Sequence, residues 1–168
     1  MGFTHCSSVT HFVKLLIVIP FLVGCARQEI ISAKEVPKTL SSVQNTEGLK
    51  VELNLNKPSY KLKEPTIMIL TVTNKSKETC RYSFRSSQVY DFVVKEDNKE
   101  IWRWSADEVF AQVITELTLA PGKSESFEEI WEQVDNEGKN VRAGKYQVIG
   151  ILATQPERIS HPVSIEIR

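Results

Sequence analysis

The chain has 168 residues, 41% of them hydrophobic and 25% charged, with 21 basic and 21 acidic side chains and so no formal net charge. That balance fits one globular domain with a short appendage. Lysines are scattered among acids, the basic stripe needed to hold a phosphate backbone is missing, and no nucleic-acid partner is expected.

The N-terminus differs in kind from the rest. Phe12 to Cys25 reads FVKLLIVIPFLVGC, an apolar run entered through one lysine, which is a signal-peptide pattern too short for a membrane span. Its end, Leu22-Val23-Gly24-Cys25, resembles the bacterial lipobox, in which a small residue precedes a cysteine that is lipidated and becomes the mature N-terminus. The resemblance implies a diacylglycerol thioether on Cys25 and an outer-face membrane anchor, held stably by several acyl chains. Residues 1–24 are then a lipoprotein signal peptide, 25–47 a lipid-anchored tether and 48–168 the folded domain. The tether mixes charge, Ser and Thr with few large apolar groups. Treated as a flexible coil, it reaches on the order of 25 Å.

With Cys6 removed and Cys25 lipidated, Cys80 is the one thiol of the mature chain, which excludes an intramolecular disulfide. Cys80 is expected to be a small buried hydrophobe. Together with the single mature histidine, His161, it is too few ligands for structural zinc, and no cofactor or metal is expected.

From Leu49 onward period-2 alternation dominates. Val51, Leu53 and Leu55 alternate with polar neighbours, and Met68, Leu70 and Val72 alternate with Ile67, Ile69, Thr71 and Thr73. Turn chemistry separates the runs, as at Asn56-Lys57-Pro58, Pro121-Gly122 and Asn136-Glu137-Gly138. Strands are predicted near 49–55, 60–62, 66–74, 79–84, 90–95, 99–104, 114–119, 124–132, 144–153 and 161–167. The fold class is all-β, an immunoglobulin-like antiparallel sandwich. Ser105-Ala-Asp-Glu108 has the form of a capping box ahead of Val109, Phe110 and Val113, so a single helical turn or short helix is predicted over 105–112, with Phe110 closing the end of the core.

The stretch Tyr90 to Trp104, YDFVVKEDNKEIWRW, reads as a hairpin rich in rings. A three-residue loop, Glu96-Asp97-Asn98, pairs Lys95 with Lys99 and sets Phe92 opposite Trp102 and Tyr90 opposite Trp104. These four rings form a structural aromatic cluster on one face, with Asp91 opposite Arg103 as a cross-strand ion pair on the other. A two-residue loop would split the rings between faces.

Enzymatic readings are weak. His161 precedes Pro162 and has no evident serine or cysteine partner. Glu125, Glu128, Glu129, Glu132, Asp135 and Glu137 match no EF-hand spacing and read as a solvated acidic hairpin.

The order Ser86-Ser87-Gln88, Tyr90-Asp91-Phe92, a hairpin, Trp102-Arg103-Trp104-Ser105, Phe110, Leu119-Ala-Pro121-Gly122, Trp131 and Ala143-Gly144-Lys145-Tyr146 resembles the bacterial intracellular proteinase inhibitor family, of BsuPI type. The resemblance covers about Leu49 to Ile151. It implies a non-catalytic sandwich that binds a protein partner, a subtilisin-type serine protease in the founding member. Export and lipidation would separate this copy from a cytoplasmic target, which leaves a non-inhibitory envelope interaction module as the alternative. The candidate contact loops flank the hairpin: Arg85, Ser86, Ser87 and Gln88 on one side, and Ser105, Asp107 and Glu108 on the other.

Overall fold

The computed structural model describes residues 40–46 and 48–168. The signal-like run, Cys25 and residues 26–39 of the expected tether lie outside the described residues. Twelve strands follow in order: β1 (Leu40–Thr46), β2 (Leu49–Leu55), β3 (Ser59–Tyr60), β4 (Thr66–Asn74), β5 (Cys80–Phe84), β6 (Tyr90–Glu96), β7 (Lys99–Arg103), β8 (Thr115–Leu119), β9 (Ser124–Trp131), β10 (Gly144–Leu152), β11 (Arg158–Ile159) and β12 (Val163–Ile167). One sheet has the order β1-β2-β4-β9, and another runs β3-β12-β10-β6-β7 with β11 on β10. β5 and β8 pair separately. All pairings are antiparallel except β12 with β3. The result is an all-β sandwich.

The alternation that predicted the strands also builds the core. Leu49, Val51, Leu53 and Leu55 of β2 and Met68, Leu70 and Val72 of β4 share one buried cluster with Phe92, Val94, Tyr146, Val148, Leu152, Ile165 and Ile167 from the facing sheet. Each such side chain, fully buried, contributes on the order of 1.5–3 kcal/mol. Gly150 of β10 packs against Leu70 of β4, so that a Cβ added there would lie 2.8 Å from Leu70 Cδ1. Val93, Ile149 and Ile151 form a second buried cluster on the opposite face of β6 and β10.

Four expectations are corrected. Residues 40–46, assigned to the tether, form β1, which pairs with β2 along its whole length from Leu40 against Leu55 to Thr46 against Leu49. A segment with few large apolar residues holds there because a ready strand edge satisfies its backbone. The Ser42 hydroxyl also donates to the His161 carbonyl. The helical turn or short helix predicted over 105–112 is the shorter of the two and begins earlier, as a single 3-10 turn over Trp104–Asp107. Ser105 is taken out of its capping role because its side chain donates to Asp91. Cys80 is half-exposed at the start of β5, with its sulfur 3.4 Å from Ser76 Oγ.

The fourth correction concerns the hairpin. Glu96 pairs with Lys99, so the loop has two residues, and both Asp97 (φ 49°) and Asn98 (φ 64°) adopt the left-handed conformation of a type I′ turn. That loop alone would split the rings. A bulge between Val94 and Lys95 restores parity by spending one extra residue, Ile101, so Trp102 lies opposite Val94 and Arg103 opposite Val93. Ile101 and Trp102 then both lean against the core cluster.

Candidate functional site: two loops fastened to a buried carboxylate

β6 begins with Tyr90 and Asp91 at one end of the sandwich, where β10 finishes at Leu152. Period-2 geometry sends the two side chains to opposite faces. Each fastens a different part of the same loop system.

Asp91 is 3% exposed. A buried carboxylate is costly unless donors surround it, and five do. Its Oδ2 accepts from Arg103 Nη1 at 2.7 Å, from the Ser105 hydroxyl at 2.7 Å and from Gln88 Nε2 at 3.3 Å. Its Oδ1 accepts from the backbone N–H of Phe92 at 2.9 Å and of Ser105 at 3.2 Å. Arg103 sits diagonally to Asp91 across the ladder, two positions from the register expected from sequence, and its long side chain spans the offset. The guanidinium also binds Glu100 through two nitrogens, at 3.0 and 2.8 Å. The Glu100 bond, and then Asp91, raise the Arg103 pKa, while Arg103 holds Glu100 below the usual carboxylate range. The ion pair is therefore part of a network in which Asp91 is buried, not the isolated surface pair whose worth is small.

Tyr90 fastens the other side. Its ring is stacked between Trp104, at 4.6 Å and 20°, and Phe127 of β9, at 4.5 Å and 20°. Phe110 leans on Trp104 at 5.8 Å, tilted by 55°. Offset ring contacts of this kind add about 0.5–1.5 kcal/mol each beyond burial. The Tyr90 hydroxyl donates to Glu129 Oε1 at 2.6 Å, and burial together with that carboxylate raises its pKa. Of the four rings predicted as one wall, only Phe92 is fully buried. Tyr90, Trp102 and Trp104 are half-buried against the core, and Trp104 has left the strand for the 3-10 turn.

The two candidate loops are bonded to each other. Ser87 N–H donates to the Ala111 carbonyl at 2.9 Å, and the Ala111 N–H donates to the Ser87 hydroxyl at 2.9 Å. Thr115 Oγ1 donates to the Ser86 carbonyl at 2.8 Å. Of the candidate residues, Ser86, Gln88 and Ser105 are half-buried and bonded within the loop system, while Arg85, Ser87, Asp107 and Glu108 are exposed. The sequence places Val109, Phe110 and Val113 after the capping-box-like segment and sends Phe110 alone to the core. Val109 and Val113 are exposed, at 97% and 53%, as is Ile114 at 80%. The signal was an apolar run, VFAQVI, lying where no strand periodicity continues.

The acidic run lies along β9 and the following turn. Glu125, Glu128, Glu132 and Glu137 are exposed, whereas Glu129 is half-buried beneath Tyr90. His161 is exposed beside Pro162.

Comparison with solved structures gives distant likenesses. A β-glucosidase from Erythrobacter marinus is 11% identical at a TM-score of 0.43, covering 77% of this chain and 16% of that one. An alkylpurine DNA glycosylase from Pseudomonas fluorescens is 9% identical at 0.43, covering 79% and 31%. The CARDB domain of a Pyrococcus furiosus protein is 8% identical at 0.37, covering 80% and 90%. The chain spans about a sixth of the β-glucosidases it matches, and likeness at this level carries nothing about activity. No curated protein matches the chain. The family model described as intracellular proteinase inhibitor, BsuPI, matches residues 53–157, which include β4 to β10, the Asp91 network and both loops. With more than half of its length in that match, the chain belongs to the BsuPI intracellular proteinase inhibitor family.

Proposed function

We propose that this protein is a cell-envelope lipoprotein, anchored through Cys25 on the outer face of a bacterial membrane. In this reading its proteinase-inhibitor-type sandwich binds and inhibits a subtilisin-type serine protease. The family assignment supplies the inhibitor class. The observation that carries the reading is the pair of loops bonded to each other at Ser87 and Ala111 and to buried Asp91. A loop held rigid in advance loses little entropy on docking, which is how inhibitors of standard interface size reach high affinity. Purified protein at micromolar concentration should slow a subtilisin-type protease without being digested. Unchanged activity across a panel of extracellular serine proteases would sink the inhibitor reading. The anchor is tested separately: labelled palmitate should enter the wild-type protein and not Cys25→Ala, and absence of label from both would refute it.

One observation favours a second reading, a non-inhibitory envelope interaction module. The family's name points to an intracellular protease, whereas Leu22 to Cys25 reads as an export and lipidation signal. Cross-linking in intact cells separates the two. Recovery of a protease supports inhibition, and recovery only of envelope structural proteins supports scaffolding.

A further inference from the structure

Building on the inhibitor reading, we infer that the segment from Glu108 to Ile114 is the part that enters the protease cleft. Val109 fills the primary specificity pocket, and the target is a protease whose pocket accepts an apolar side chain.

Four observations converge on Val109. It is 97% exposed, the most exposed of the large hydrophobic side chains among the described residues. A solitary exposed valine needs no explanation, but Val113 and Ile114, exposed at 53% and 80%, lie in the same segment. The backbone entering it is extended, with Glu108 at φ −93° and ψ 148°. Extended backbone is the form in which a cleft can add a peptide as a strand, reading its side chains by pockets. The segment is also held on both sides of the tip. Before it, Glu108 N–H reaches the Ser105 carbonyl at 3.4 Å, and Ser105 is itself bonded to Asp91. After it, Ala111 exchanges bonds with Ser87.

The residue between tip and anchor explains why Val109 is outward. Phe110 turns in against Trp104 and so joins the ring stack that ends on β9. With Phe110 committed inward and Ala111 tied to Ser87, Val109 projects from a fixed support. Asp107 and Glu108 are exposed beside it. The chemistry presented is one apolar side chain with carboxylates on its N-terminal side, which suits an apolar pocket with a neutral or cationic rim and opposes an acidic one.

The test uses the purified full-length protein and inhibition constants for two proteases, a subtilisin-type enzyme with an apolar pocket and a serine protease selective for lysine. Val109→Asp should weaken inhibition of the first by about 30-fold or more, the loss expected of a central anchor. Leu62→Asp, an equally drastic change at a 48% exposed position near the C-terminal end of β12, should alter it by no more than about twofold. Val109→Lys should lose inhibition of the first enzyme and gain it against the lysine-selective one, a transfer that a merely structural valine could not produce. Undiminished inhibition by Val109→Asp overturns this inference and leaves the inhibitor reading standing, whereas wild-type inhibition confined to the lysine-selective enzyme overturns this inference and the subtilisin-type target, leaving only the inhibitor class. Failure of the wild-type protein to inhibit either enzyme or any other protease overturns both.

Discussion

Ser105 donates to Asp91 twice, from its hydroxyl at 2.7 Å and from its backbone N–H at 3.2 Å. A buried carboxylate on β6 thus holds the connection that leaves β7. Removing it orphans donors from Ser105, Gln88 and Arg103 together. Asp91→Ala should cost about 3–5 kcal/mol, as expected when one partner of a buried charged network is deleted. Denaturant unfolding measures the loss, and a double-mutant cycle with Arg103→Ala should return a coupling of about 1–3 kcal/mol. A cost within about 0.5 kcal/mol of zero would mean that the network is only decorative.

Gly150 and Leu70 meet across the two sheets. A Cβ at position 150 would lie 2.8 Å from Leu70 Cδ1, closer than two carbons pack. Gly150→Ala should destabilise by about 1–3 kcal/mol through overpacking. The sign of a second change tests the cause. Leu70→Ala is expected to be destabilising in the wild type and partly compensating in Gly150→Ala, read as a positive deviation from additivity in thermal unfolding.

The core was legible where a sheet buries mainly one face, as in β2 and β4, so that every second residue of those strands carries the signal. Register was less legible. The pattern required Tyr90, Phe92 and Trp102 to share a face, but two routes satisfy it: a three-residue loop, or a two-residue loop followed by a bulge. Asp97 and Asn98 suit the left-handed pair of the shorter loop, and turn chemistry prevailed. The Asp91–Arg103 pair tolerates that slip because an arginine reaches a diagonal neighbour. The loop system was hidden for a different reason. Ser105 and Glu108 have capping-box spacing, but a distant carboxylate competes for the serine, and no local pattern reports a partner fourteen residues away. Phe127 was missed because it stands among exposed glutamates, and its stack on Tyr90 and its contact with the core explain it.

β1 gives a prediction about where the folded domain starts. Its seven residues pair with β2, and Leu40 leans on the core. Ordering this segment costs about 1–2 kcal/mol of backbone entropy per residue, which the ladder bonds and the partial burial of Leu40 offset with a small surplus. A chain beginning at Leu49 should therefore be less stable than one beginning at Glu35 by about 1–3 kcal/mol, measured as a drop in the urea midpoint. It should also associate more readily, because the edge of β2 is uncovered. Equal midpoints for the two chains would place 40–46 back in the tether.

Tyr60 makes the alkaline limb of stability predictable. Its ring is 2% exposed, its hydroxyl donates to Asn56 Oδ1 at 2.7 Å, and it accepts from Lys57 N–H at 3.2 Å. Burial, the largest influence, pushes its pKa up to about 12 from the ordinary 10.0. The folded protein therefore holds this proton more tightly than the unfolded chain. The contribution is fully present below pH 10 and is lost as pH rises through about 12, because the unfolded state ionises first. Thermal unfolding midpoints should fall across that window. Tyr60→Phe should make the fall shallower while costing about 0.5–1.5 kcal/mol at neutral pH for the lost bond to Asn56. Part of the fall should persist, because burial raises Tyr90 and Tyr146 as well. Parallel profiles for the two proteins from pH 9 to 12 would refute the assignment to Tyr60.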